Sequence, residues 1–229
     1  MTILVVSGTG TEIGKTVVTA AVAAAYRGRR VAVLKPAQTG LAPGEPGDAA
    51  EVARLAGAHV TAVELARFPE PLAPATAARR AGMAPVRPFE VAEAAQKLAT
   101  EHDLVLVEGA GGLLVRFDDE GATLADAARL MAAPVLVVAP AGLGTLNATA
   151  LTAEALRARG IECLGVVVGS MPLEPDLAAR CNLDDLPVVA GAPLLGAVPA
   201  GAGSLLPADF RARAASWLAP ELGGDGYGR

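Results

Sequence analysis

The segment Ser7–Thr16 reads SGTGTEIGKT and ends in Gly14-Lys15-Thr16. A glycine-rich turn closing on Gly-Lys-Thr can wrap backbone N–H groups around phosphate. It also sets a lysine on the outer phosphates and offers a hydroxyl to Mg²⁺. In the usual GxxxxGK[ST] spacing the first glycine falls at position 9, which here is Thr9; Gly8 stands one residue earlier, so the loop is a longer variant. A second cation follows in Lys35-Pro36-Ala37-Gln38-Thr39-Gly40, and an acid, Glu108, precedes Gly109-Ala110-Gly111-Gly112. An acid at the tip of an apolar strand beside such a loop is positioned to hold Mg²⁺ directly or through water. Asp48 opens a helical stretch after a Pro/Gly-rich loop, and has two readings, an N-cap or a second metal carboxylate. Lys35 likewise reads either as a solvated strand end or as a second cleft cation. Two ammonium groups in one cleft repel each other unless an anion lies between them.

These residues need a scaffold that carries them to one edge. Apolar runs at Ile3–Ser7, Val31–Lys35, Leu104–Glu108, Val135–Ala139, Leu164–Gly169 and Leu194–Val198 lack polar alternation, as strands buried on both faces do. Helical stretches are expected at Lys15–Arg27, Asp48–Gly57, Phe89–Thr100, Leu124–Met131, Asn147–Arg159 and Ala208–Leu218. Strand alternating with helix predicts a single-domain, doubly wound α/β fold of the P-loop NTPase type. Its mainly parallel sheet places ligands beyond the strands' carboxyl ends. The proline-rich stretch Pro69–Pro88 reads as a loop excursion with one short helix at Ala75–Ala81, residues 1–222 as the domain, and Gly223–Arg229 as a disordered tail.

Composition narrows the function. The chain has 229 residues, is 52% hydrophobic and carries a net charge of −5, which suits a packed domain and offers no basic surface for nucleic acid or an anionic membrane. No apolar run is long enough to span a bilayer, and the start MTILVVSGTG lacks a basic leader, so a cytoplasmic protein is expected. Cys163 and Cys181 show no metal or redox spacing and read as small buried hydrophobes; Asp184-Asp185 reads as a solvated turn. His59 and His102 have no nucleophilic partner pattern. Of 19 basic side chains only Lys15, Lys35 and Lys97 are lysines, and two of these three stand at the expected site.

Taken together, GTGTEIGKT, KPAQTG, VEGAGG, LGTLNATALT and GAVPAG resemble the dethiobiotin synthetase family, in order and over nearly the whole chain. The resemblance implies a Mg²⁺-dependent ligase. It would join 7,8-diaminopelargonate, CO₂ and a nucleoside triphosphate (ATP, or CTP or another NTP) through a carbamate and a carbamic-phosphoric anhydride. It implies catalytic roles for Lys15, Lys35 and Thr11, with Thr39 and Gly111 toward the substrate. Thr16, Asp48 and Glu108 would be the Mg²⁺ ligands. Glu12, Ile13, Gly14, Lys15, Thr16 and Val17, with Glu108, Gly109, Ala110 and Gly111, would hold the triphosphate. Gly144, Thr145, Leu146 and Asn147 would receive the substrate's carboxylate tail from the neighbouring subunit of a homodimer. Gly169, Ser170, Val198, Pro199, Ala200 and Gly201 would face the base. The chain departs from the family pattern at Gly10, where some members carry Asp, and at Gly169, where many carry an adenine-reading Asn. The second departure predicts relaxed or shifted nucleotide preference. Two rivals share the scaffold. A ParA/MinD-like ATPase switch would carry a second loop lysine at position 10, which is glycine here. A cobyrinate-type amidating synthetase would need an added glutaminase domain.

Overall fold

The computed structural model describes residues 3–226. Seven strands form one sheet: β1 (Ile3–Gly8), β2 (Val31–Thr39), β3 (Val60–Phe68), β4 (Leu104–Gly112), β5 (Val135–Ala139), β6 (Cys163–Met171) and β7 (Leu194–Pro199). Their order is β3-β2-β4-β1-β5-β6-β7, and every neighbouring pair is parallel. Among the described residues, eight α-helices cover the sheet: α1 (Lys15–Ala25), α2 (Asp48–Ala56), α3 (Pro74–Ala81), α4 (Pro88–Ala99), α5 (Leu124–Leu130), α6 (Thr145–Arg157), α7 (Leu177–Ala190) and α8 (Pro207–Arg213). The central strands are buried on both faces, and two apolar cores result. Val5, Val105, Val107 and Val137 pack toward α4 and α5 on one side; Leu4, Leu106, Leu136 and Val138 pack toward α1 on the other.

The alanine-rich helix α1 shows how composition becomes packing. Ala20, Ala21, Ala23 and Ala24 are all buried with Val18 and Val22, so small side chains let this helix sit close against its neighbours. Trp217 packs edge-on against Phe210 of α8, with ring centroids 5.3 Å apart, and closes that core at the chain's end.

Four expectations need correction. Strand β3, VTAVELARF, has no counterpart among the six expected runs, because an edge strand is paired on one side only and carries Thr61, Glu64 and Arg67. Helix α7 was hidden by Pro187 in its interior and by Asp184 and Asp185, which lie on this helix rather than in a turn. It is capped by the Asp176 side chain accepting from the Ala179 N–H at 2.7 Å. The last helix stops at Arg213 and gives way to 3₁₀ turns instead of running to Leu218. Cys181 is exposed, not buried. The other expected helices match to within two residues at either end. Of the expected tail, Gly223, Gly224 and Asp225 donate backbone hydrogen bonds to Pro220, Ala219 and Ala215, and residues 227–229 lie outside the described residues.

The strand pairing opens the site. β2 pairs with β4 only as far as Leu34↔Val107, while it continues alongside β3 to Thr39↔Phe68. Past Leu34 the two inner strands therefore part, and Pro36, which has no N–H to donate, sits where no β4 partner remains. Lys35 stands at that fork.

Candidate active site

A cleft of about 920 Å³ lies beyond the carboxyl ends of β1, β2 and β4. Its walls include Thr11–Thr16, Lys35, Thr39, Asp48, Glu108, Ala110 and Gly111, so three separate sequence motifs meet there. The loop after β1 enters α1 through Gly14 at φ 92, with no side chain capping the helix and no acid in its first turn. Such an end presents unpartnered N–H groups and positive dipole to an anion. Glu12 holds φ 58, a conformation few non-glycine residues adopt, so the loop keeps its curl at some backbone cost.

The charged groups form one network. Lys35 Nζ lies 2.5 Å from Asp48 Oδ2 and donates to Glu108 Oε1 at 2.9 Å and to the Gly109 carbonyl at 3.1 Å. Thr16 Oγ1 donates to the same Glu108 Oε1 at 2.9 Å. Lys15 Nζ turns back to the Gly10 carbonyl at 2.8 Å. Burial by itself would lower the Lys35 pKa, but Glu108 and then Asp48 outweigh it and hold the ammonium above the ordinary lysine value. Lys15 has no carboxylate in contact; burial, then the Lys35 charge, pushes it below the ordinary value. The two lysines therefore stand in opposite electrostatic states, one neutralised by carboxylates and one awaiting an anion.

The donor set suits a hard divalent cation. Glu108 is 1% exposed, and its Oε2 is buried without a hydrogen-bond partner. A carboxylate oxygen left in that state is a vacancy in the bonding pattern that a cation or its water would fill. Thr16, Glu108 and Asp48 supply oxygen donors only, as Mg²⁺ requires. They are too few to form a closed protein cage, as expected when phosphates complete the shell. Asp48 is the first residue of α2, and Gly47 holds the N-cap position, so the N-cap reading of Asp48 does not hold.

Other expected residues lie outside this cleft. Gly144–Asn147 opens α6, beyond β5, and does not line it. Thr145 there is buried and Asn147 exposed. Val198 is buried in β7, Pro199 ends that strand, and Ala200–Gly201 forms the turn after it. Gly169 is buried under the phosphate loop: a Cβ there would lie 2.0 Å from the Ile13 carbonyl oxygen, and one on Gly14 would lie 2.2 Å from the Gly169 carbonyl oxygen. These two glycines let β6 and the loop touch backbone to backbone. Gly169→Ala should push the loop off its seat, costing about 1–3 kcal/mol of stability and weakening triphosphate binding; urea denaturation and calorimetric titration check both.

Sequence reading alone did not reach Gln38 as a site residue, nor Glu51 or Pro71–Pro74, all of which line the cleft. The signal that could find Pro71–Pro74 was β3: once it is recognised as a parallel strand, the loop at its carboxyl end belongs to the ligand edge.

The family model described as "AAA domain" matches residues 2–203. An "ATP-dependent dethiobiotin synthetase BioD" of Streptomyces avermitilis is 74% identical over 98% of this chain and 94% of its own length. The protein of the same name from Saccharopolyspora erythraea is 73% identical over 98% of both chains. The chain belongs to the ATP-dependent dethiobiotin synthetase family. Members of this family are ligases, and the motif resemblance drawn from five short segments extends over the full length. Among solved structures, the Aquifex aeolicus MinC:MinD cell division complex gives a TM-score of 0.59 at 14% identity, covering 93% of this chain and 86% of that one. A ParA family ATPase from Chlorobium tepidum gives 0.57 at 12% identity, covering 92% and 89%. At those identities the likeness is one of P-loop NTPase fold.

Proposed function

We propose that this chain closes the ureido ring of dethiobiotin from 7,8-diaminopelargonate, CO₂ and a nucleoside triphosphate, in the cytoplasm and as a homodimer. The observation that carries this reading is the meeting of Lys15 and Lys35 with Thr16, Asp48 and Glu108 in one cleft. The reaction must bring two anions together, a carbamate and a γ-phosphate, and the two lysines beside the uncapped start of α1 would offset that repulsion.

One substrate amine takes up CO₂ to give the carbamate. A carbamate oxygen then attacks the γ-phosphorus, the bond to the β-phosphate oxygen breaks, and nucleoside diphosphate leaves. The second amine attacks the carbonyl carbon of the resulting anhydride, inorganic phosphate departs, and the ring closes. Lys15, drawn from the Gly10 carbonyl to the phosphates, would follow the charge as it moves from the β–γ bridge to the leaving diphosphate. Lys35, at the fork between β2 and β4, would hold the carbamate oxygen. Thr11 and Thr39 would orient the diamine by hydroxyl contacts from the two sides of the cleft, and Gly111 would let it approach β4 closely. Mg²⁺, when bound, would neutralise the β- and γ-phosphate oxygens. Thr16, Glu108 and Asp48 would hold it, the first two already joined by a hydrogen bond.

The substrate's carboxylate tail is assigned to Gly144, Thr145, Leu146 and Asn147 of a neighbouring subunit. This placement accords with the absence of those residues from the lining of the chain's own cleft, and a strictly monomeric protein in solution would remove its basis. Ser170 and Val198–Gly201 would face the base, and with glycine at position 169 no side chain from there reads adenine. ATP, CTP and GTP should therefore support turnover within about tenfold of one another.

The deciding assay combines diaminopelargonate, bicarbonate, Mg²⁺ and each triphosphate in turn. One ureido product per phosphate released is expected, and phosphate release without that product would overturn the synthetase reading. A large preference for ATP would overturn the base assignment alone.

A further inference from the structure

Asp48 reaches Lys35 from the first turn of α2, and the loop leading to it, residues 40–47, is exposed from Ala42 to Pro46. A carboxylate at the end of such a loop keeps its place only if something holds the loop. Three side chains from the edge of the sheet do so. Arg67, on β3, donates from Nε and Nη2 to both oxygens of Glu64 at 2.9 and 2.8 Å, which locks its guanidinium plane. Its remaining nitrogen, Nη1, donates to the Glu45 carbonyl at 2.7 Å and to that of Ala42 at 3.4 Å. Gln38, the register partner of Arg67 on β2, is buried and accepts the Asp48 N–H at 2.8 Å. Gly47 passes directly over the pair: a Cβ on it would lie 2.1 Å from Glu64 Oε1, 2.8 Å from Gln38 Oε1 and 2.9 Å from Arg67 Nη2.

We infer that Arg67, held by Glu64 and working with Gln38, is a positioning residue for the metal carboxylate Asp48. An ion pair that served only to blunt the edge of the sheet would have no need to fill loop carbonyls, nor to exclude a side chain at position 47. Carboxylate ligands are themselves held by outer partners, and loss of such partners commonly weakens metal binding 10–100-fold. Here the partners act through the backbone, by fixing where α2 begins. The inference rests on the proposed metal role of Asp48.

The test uses the full chain with Mn²⁺ in place of Mg²⁺ and a β,γ-methylene analogue of ATP. Bound Mn²⁺ is read by electron paramagnetic resonance, and turnover is measured separately against Mg²⁺ concentration. Arg67→Met should weaken Mn²⁺ binding about tenfold and raise the half-saturating Mg²⁺ alike, while turnover at saturating Mg²⁺ falls less than threefold. Gly47→Ala should do the same, and the double variant should be little worse than either single one, because both disturb one contact. Glu64→Gln keeps the volume and removes the charge, and should give a smaller loss of the same kind; it decides the matter if Arg67→Met does not fold. Unchanged Mn²⁺ affinity in the variants, or lost turnover without lost affinity, overturns the inference. Asp48→Asn separates the two levels. If it weakens Mn²⁺ binding and the Arg67 and Glu64 variants do not, only the positioning role fails; if it leaves Mn²⁺ binding intact, the metal role of Asp48 fails and the positioning role with it.

Discussion

Lys35→Ala is expected to lower turnover by about two orders of magnitude or more and also to lower the unfolding free energy by roughly 3 kcal/mol. Both effects come from the same atoms. Lys35 is 3% exposed and touches two carboxylates and a carbonyl, so its removal leaves Glu108 buried with only the Thr16 hydroxyl on one oxygen and nothing on the other. Breaking a buried ion pair from one side usually costs about 3–5 kcal/mol, because the remaining charge stays desolvated. The lower end is expected, since the Asp48 side chain is 37% exposed and water screens its share. Mg²⁺ should restore part of the lost stability by supplying a counter-charge to Glu108 and Asp48. It should not restore turnover, because the cation proposed to hold the carbamate is gone. Urea denaturation with and without Mg²⁺, beside steady-state kinetics, reads both. Normal turnover in a destabilised variant would leave Lys35 a purely structural counter-ion.

Lys15→Met should act in the opposite sense on stability while harming catalysis more. A loss of about 10³-fold in kcat/KM for the triphosphate is expected, since no other cation in the cleft lacks a carboxylate partner to occupy it. The folded chain without nucleotide should be as stable as before, or slightly more so. Lys15 is buried beside another positive charge and makes no carboxylate contact, so its own charge opposes folding until phosphate arrives. The pH dependence follows from the same cause. Folding depresses this pKa below 10.5, so the unfolded chain binds more protons in the window just under that value. The Lys15 contribution to unfolding free energy should therefore rise as pH climbs through the window, and it should vanish in the methionine variant. Denaturation curves across that range test the sign; a fall in stability like that of Lys35→Ala would overturn it.

The contrast between the lysines could not be read from their motifs. Each stands on or just beyond an apolar strand, Lys35 within β2 itself and Lys15 as the first residue of α1 after β1. What separates them is which strand lies alongside. β4 runs beside β2 as far as Leu34 and delivers Glu108 to Lys35, whereas Lys15 opens α1 and donates only to the Gly10 carbonyl of the loop after β1. Register between residues some seventy positions apart carries no mark in either segment.

The phosphate loop, the lysine on β2 and the acid on β4 were legible in the sequence because each is encoded by a few contiguous residues. A glycine-rich turn needs its glycines where φ must be positive or the backbone must come close, and a buried parallel strand needs an unbroken apolar run. Those local requirements, in their order along the chain, determined the fold class, the ligand edge and the family. Tertiary structure decided the rest. It made Val60–Phe68 a strand although Thr61, Ala62 and Leu65 are exposed, because pairing with β2 along one edge is enough to order it. It set Gly169 against Gly14, so that a position expected to face a base also seats the phosphate loop. It turned Arg67, Glu64 and Gln38, which form no motif, into the support beneath Asp48. The physical reason is the same in each case: these roles depend on which strands become neighbours, and pairing between distant segments is settled by the packing of the whole sheet rather than by any stretch of it.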